Sequence, residues 1–117
     1  LQRKTDDNKI IIACDFTGAD WDEVAPMIEG HHGSVLSLAA LDLAIDGAAD
    51  ADAKFQCTMC LRYFDPPAKC WRHPDPPDQA NPDAVICWDC IQQADRAFAR
   101  DPDTDWDRKI PPDRTWK

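Results

Sequence analysis

The residues with the clearest capacity for chemistry lie between positions 57 and 90. Two CxxC pairs, Cys57-x2-Cys60 and Cys87-x2-Cys90, enclose a third pair, Cys70-x2-His73. A CxxC puts two sulfurs on one tight turn, and two such turns supply the four soft donors that tetrahedral zinc takes in structural sites. Five of the six cysteines fall in this window, which is metal spacing; a disulfide framework spreads its cysteines along the chain. The expected ligand set is Cys57, Cys60, Cys87 and Cys90, with Zn²⁺ in a structural role. Cys70 and His73 stay open as alternative ligands, replacing an outer pair or holding a second ion with His31, His32 or Asp75, or as plain loop residues. Four protein donors leave no position for a catalytic water, so a closed site of this kind argues against hydrolysis at the metal.

The elements that must position these donors are short. Ala84-Val-Ile-Cys87 reads as a strand, and Cys90 to Arg100 as a helix with Ile91, Ala94 and Phe98 on one face. The first pair is flanked by Phe55 and by Tyr63-Phe64, aromatics suited to shield a metal site from water. Asp65 to Pro82 holds six of the ten prolines, which argues against both a helix and a central strand there. Cys70 and His73 would be the pins of that excursion.

Earlier in the chain, residues 1–8 are polar and expected to fray. Lys9 to Cys14 is a β-branched run suited to a buried strand. Asp20-Trp-Asp-Glu23 has the form of a capping box, and Trp21, Val24 and Ile28 give the helix it predicts one apolar side, with Gly30 to end it. Ser34 to Ile45 reads as a short strand leading into a helix. Asp46 to Ala53 is small and acidic, so 48–53 is the expected linker between a unit at 9–47 and a unit at 54–100. The remainder, 101–117, is an acidic tail in which Trp106, Ile110 and Trp116 call for docking. Its Asp101-x-Asp103-x-Asp105-x-Asp107 run fails as a calcium loop, because Trp106 stands where the loop needs Gly. Cys14 is expected as a buried thiol and His31-His32 as a polar turn.

The two units share a grammar. In the second, a CxxC knuckle leads to a strand, a second CxxC and a helix. In the first, Cys14-x2-Thr17-Gly18 leads to Val35-Leu36, then Ser37-x2-Ala40 and a helix. Nineteen residues separate Thr17 from Ser37 and twenty-six separate Cys60 from Cys87, the extra seven falling in the proline-rich stretch. In these features the chain resembles the four-cysteine zinc-binding domain found at the N-terminus of ClpX, the unfoldase ATPase. That family reads CxxC-G, an acidic helix, a strand, then CDEC opening a final helix. Cys14-Asp-Phe-Thr17-Gly18, Trp21-Asp-Glu-Val24 and Met27-Ile-Glu-Gly30 look like its first part, and Cys87-Trp-Asp-Cys90-Ile91 like its last. The resemblance implies a duplicated treble-clef zinc finger of ββα type, with a first copy that keeps only Cys14 of its ligands. It also implies a module that dimerises and receives substrates or adaptor proteins. The ATPase does not carry over, since the chain has no GxxxxGK[ST].

The expected fold class is therefore α+β, built of small treble-clef units, and the expected function is an adaptor or regulatory protein-binding module. Composition narrows the rivals. Of the net charge of −9, residues 1–53 carry three bases against eleven acids, while 54–100 carry six of each. Four thiolates on one Zn²⁺ make the second unit more negative still, so a nucleic acid is disfavoured as partner. A zinc finger for nucleic acid would need Lys54, Arg62, Lys69, Arg72, Arg96 and Arg100 on one face. An enzyme would need Cys70 and His73 as its centre, and no spacing supports a base and orienting carboxylate around them. The start, Leu1-Gln-Arg-Lys, lacks the apolar run of a secretory leader, and no stretch reaches the ~18 apolar residues of a membrane span, so a reducing cytoplasm is the expected compartment.

Overall fold

The computed structural model describes residues 1–111. Its elements are β1 (Gln2–Lys4), β2 (Ile10–Ile12), β3 (Met27–Glu29), β4 (Val35–Ser37), α1 (Leu38–Gly47), β5 (Ala49–Asp50), β6 (Phe55–Gln56), β7 (Tyr63–Phe64), β8 (Lys69–Trp71), β9 (Ile86–Cys87) and α2 (Trp88–Arg100). They pair into small antiparallel sheets in the orders β1-β2, β3-β4, β6-β7 and β5-β8-β9. The fold class is α+β, as expected. Among the described residues no helix is long and apolar enough to cross a membrane.

Both strand-to-helix passages follow the local reading. β4 is buried throughout, and Ser37 caps α1 by accepting the Ala40 amide at 3.1 Å. α2 buries Ile91, Ala94 and Phe98 on its inner face. One continuous core joins Cys14, Phe16, Leu36 and Leu41 from the first half to Trp71, Ile86, Ile91 and Phe98 from the second. α1 packs against α2, and β8 lies against both helices.

Five local expectations give way. Residues 20–30 form no helix: Ala13 and Asp20 make an isolated bridge, and Met27–Glu29 pair with Ser37–Val35. Pro26 sits where the helix interior would be, lacks an N–H and drives Ala25 out of the α region, so the capping box has nothing to cap. Val24, expected on the helix's apolar side, is 82% exposed. Residues 1–8 are not frayed along their length, because Gln2–Lys4 pair with Ile12–Ile10. The β-branched run is correspondingly an outer ribbon in which Ile10 is exposed, while its end, Ala13-Cys14, is fully buried.

The other two corrections concern the centre of the molecule. The proline-rich stretch contains β8, the middle strand of the three-stranded sheet. Its prolines stop at Pro67 and resume at Pro74, leaving Ala68 to His73 with every amide free for pairing. The segment 48–53 contains β5, whose Ala49 and Asp50 pair with Cys70 and Lys69. A short acidic edge strand needs no large side chain to anchor it, since the ladder does so.

The tail docks as its apolar residues demand. Trp106 and Ile110 pack on the core, and Asp95, fully buried on α2, holds them there. Its carboxylate accepts from the Trp106 indole N–H at 2.8 Å, the Lys109 amide at 2.9 Å and the Ile110 amide at 2.8 Å. Trp116 lies outside the described residues.

Candidate metal centre

The hairpin β6-β7 turns through Cys57-Thr-Met-Cys60, and two backbone bonds shape that turn. The Leu61 amide donates to the Cys57 carbonyl at 2.9 Å, and the Cys57 amide donates to the Arg62 carbonyl at 2.9 Å. Leu61 takes a positive φ of 65° to close it. The second pair sits at the passage from β9 into α2, with Cys87 at the N-cap and Cys90 in the first turn. Thr58 ties the two pairs together: its amide donates to the Val85 carbonyl at 2.7 Å, and its hydroxyl accepts the Val85 amide at 2.9 Å.

This frame brings the Sγ atoms of Cys57, Cys60, Cys87 and Cys90 within 4.8 Å of one another. Cys57 to Cys90 and Cys60 to Cys87 are both 3.8 Å. Four sulfurs at Zn–S distances of about 2.3 Å stand about 3.8 Å apart along the edges of a tetrahedron, and these two separations match that edge. A tetrahedral S₄ set selects zinc or iron among common metals. These are the four residues the spacing singles out. Among the described residues, no other group of three or more His, Cys, Asp or Glu donors converges in this way.

The electrostatics favour thiolate. The Cys57 sulfur accepts the Cys87 amide at 3.4 Å, and the N-terminus of α2 directs its positive end at the pair it carries. Hydrogen bonds from Cys87 and Cys90 hold the Cys57 thiol far below its ordinary value, and the same hydrogen bonds to Cys57 push Cys87 up to about 11 and raise Cys90 as well. The protons shared in this way are the ones a bound cation displaces. Arg62 was missed as a site residue. Its Nε donates to the Cys60 sulfur at 3.3 Å, and its Nη2 lies 3.9 Å from Cys87 and 3.3 Å from Asp89. A base two residues beyond a knuckle cysteine was the available signal.

Cys70 and His73 are placed elsewhere. Cys70 is buried in β8, where desolvation pushes its thiol up, and it pairs with Ala49 and Cys87 through the backbone alone. His73 tilts against Trp71 at 5.6 Å between ring centroids, and its Nδ1 accepts the Asp75 amide. Of the flanking aromatics, Phe55 and Phe64 stack at 5.2 Å, whereas Tyr63 is exposed under Lys54. A cavity of about 420 Å³ opens beside Cys60 and Cys90, floored by Ile28, Met59 and Ile86.

The bonding around Cys57 recurs around Cys14. The Gly18 amide donates to the Cys14 carbonyl at 2.8 Å, the Cys14 amide to the Ala19 carbonyl at 2.9 Å, and Gly18 has a φ of 73°. The Asp15 amide donates to the Val35 carbonyl at 3.0 Å, and the Asp15 carboxylate accepts the Val35 amide at 2.8 Å, as Thr58 does with Val85. The Cys14 sulfur accepts the Ser37 amide at 3.4 Å, as Cys57 does from Cys87. Thr17 follows Cys14 by three residues as Cys60 follows Cys57, and Ser37 faces Cys14 as Cys87 faces Cys57. Each knuckle also receives a loop from the opposite half: His31 donates to the Met59 carbonyl and Asn81 to the Asp15 carbonyl, both at 2.8 Å.

No protein-family model matches the chain, and no curated protein or solved structure matches it.

Proposed function

We propose that this chain is a protein-binding module of the adaptor or regulatory kind, stapled by one structural Zn²⁺ on Cys57, Cys60, Cys87 and Cys90. The observation that carries the reading is the 3.8 Å sulfur spacing between a hairpin turn and a helix start. A chain of 117 residues gains from such a staple, because its core is small. The metal fixes the fold and takes no part in chemistry, since four protein donors complete its coordination.

We further propose that the module consists of two ClpX-like units, the first of which has given up its metal. The recurrence of the knuckle, the N–H···S bond and the Asp15/Thr58 contacts supports this descent, as does α1 beginning at Ser37 where α2 begins at Cys87. In the first unit a fully buried Ala40 replaces the fourth ligand, and Leu36 and Leu41 fill the core beside it. Partner recognition belongs to the surfaces of the module and not to the metal. The bases a nucleic acid would need are partly engaged: Lys54 lies over Tyr63, Lys69 over Trp88, and Arg62 on Cys60 and Asp89.

Metal analysis of the purified chain tests the reading. One zinc per chain is expected, lost in Cys87→Ser and kept in Cys70→Ser. The reverse pattern would make the ligand set wrong, and iron in place of zinc would replace the staple by a redox centre.

A further inference from the structure

A second groove, of about 730 Å³, is lined by none of the four clustered cysteines. Its walls are the loop Asp22–Pro26, Leu38 in the first turn of α1, and the docked tail at Asp103–Trp106. The apolar lining is Val24, Pro26, Leu38 and Trp106, and the rim carries Asp22, Asp103 and Asp105. Val24, at 82%, is the most exposed large apolar side chain among the described residues, and it is held outward: Asp22 Oδ1 accepts the amides of Val24 at 2.9 Å and Ala25 at 2.8 Å. The Trp106 indole is fixed by its N–H bond to Asp95, and Lys109 Nζ already stands 4.7 Å from its ring centroid, so this ring accepts a cation.

The charged residues that line the groove are all acidic, and Lys109, over Trp106, is already paired with Asp42. No base within 4.0 Å neutralises Asp22, Asp103 or Asp105 among the described residues, in contrast to Asp7, Asp20, Asp42, Asp89 and Asp95, and no Lys or Arg lines the groove. Nor do the three converge within 4.8 Å as metal ligands would, so they surround the groove instead of chelating in it. The cavity beside Cys60 differs, because Arg96 and Arg100 share it with Glu29, and it selects no sign of charge.

We infer that this groove docks a basic, apolar segment of a partner protein, with an aliphatic side chain against Val24 and Leu38 and arginine or lysine side chains against Trp106 and the three carboxylates. The inference rests on the protein-binding reading above and gives its partner a chemistry. A net charge of −9 attracts such a segment from a distance and repels both a second copy of this chain and a nucleic acid.

The test uses the full zinc-loaded chain, isotopically labelled, and a fluorescent peptide of alternating leucine and arginine. Controls carry glutamate for arginine or serine for leucine. Binding is expected to shift the Val24 and Ala25 amides and the Trp106 indole N–H, and to weaken about tenfold in the double variant Asp103→Asn, Asp105→Asn. Val24→Ser should weaken it as well, and raising salt from about 50 to about 500 mM should weaken it further. The proposal is overturned by no binding at about 1 mM peptide, by equal binding of the glutamate peptide, by shifts centred on Arg96 and Arg100, or by a dimer that covers Val24. Zinc content on the same samples separates the two readings: one zinc per chain with no peptide binding removes the groove and leaves the staple standing.

Discussion

If the first unit is a metal site that lost its ligands, three substitutions should restore it. Thr17→Cys, Ser37→Cys and Ala40→Cys place thiols at the positions that answer to Cys60, Cys87 and Cys90, and Cys14 is already there. The frame is in place, since the Cys14 sulfur stands 3.4 Å from the Ser37 amide, as the Cys57 sulfur stands from that of Cys87. Without metal the variant should be weaker than the parent. Ser37 caps α1 through its hydroxyl, worth about 1 kcal/mol. Ala40 is fully buried, and a sulfur added there overpacks the core by roughly 1–3 kcal/mol. Metal reverses the sign, because structural zinc contributes an apparent ~10 kcal/mol or more where four thiolates meet. The assay is metal per chain, together with thermal unfolding before and after chelation and visible absorption after cobalt substitution. Two metals per chain are expected, falling to one when Cys57→Ser is added. A folded triple variant that still binds one metal would refute the duplication.

Three further outcomes follow from single side chains. Asp95→Ala should cost roughly 3 kcal/mol and free the tail, because a buried carboxylate with three N–H donors leaves all three unpaired; chemical denaturation and loss of Trp106 indole protection report the two effects. Gly18→Ala should cost roughly 3 kcal/mol in the same denaturation assay, since φ is 73° and the new Cβ would meet the Gln79 carbonyl carbon at 2.8 Å. Arg62→Leu should lower metal affinity about 10- to 100-fold in a chelator competition, because it removes the N–H···S bonds to Cys60 and Cys87 while leaving the ligands in place.

What was legible in the chain was written at short range. The CxxC spacing named the four donors, and the pattern of Ile91, Ala94 and Phe98 named the helix that carries two of them. Val35-Leu36 followed by Ser37 announced the passage into α1, since an extended apolar pair before a capping residue has few other uses. The turn at Cys14 was visible too, because Cys14-x2-Thr17-Gly18 supplies the glycine that its positive φ requires. Pro26, in turn, excludes a continuous helix through 20–30 on local grounds alone.

Partners far along the chain could be supplied only by the folded molecule. β8 lies among six prolines, and it becomes a central strand because Ala49-Asp50 on one side and Ile86-Cys87 on the other complete its ladders. Asp95 reads as one more polar position on a helix until the tail brings three N–H groups to it. Arg62 becomes part of the metal centre only when the hairpin folds it over Cys60. The groove at Val24 is assembled from a loop, a helix start and a tail about eighty residues apart in sequence, a juxtaposition that local patterning does not encode. Ligand spacing and helical period are properties of a few consecutive residues, whereas ladders, buried carboxylates and grooves belong to pairs of segments that meet only after folding.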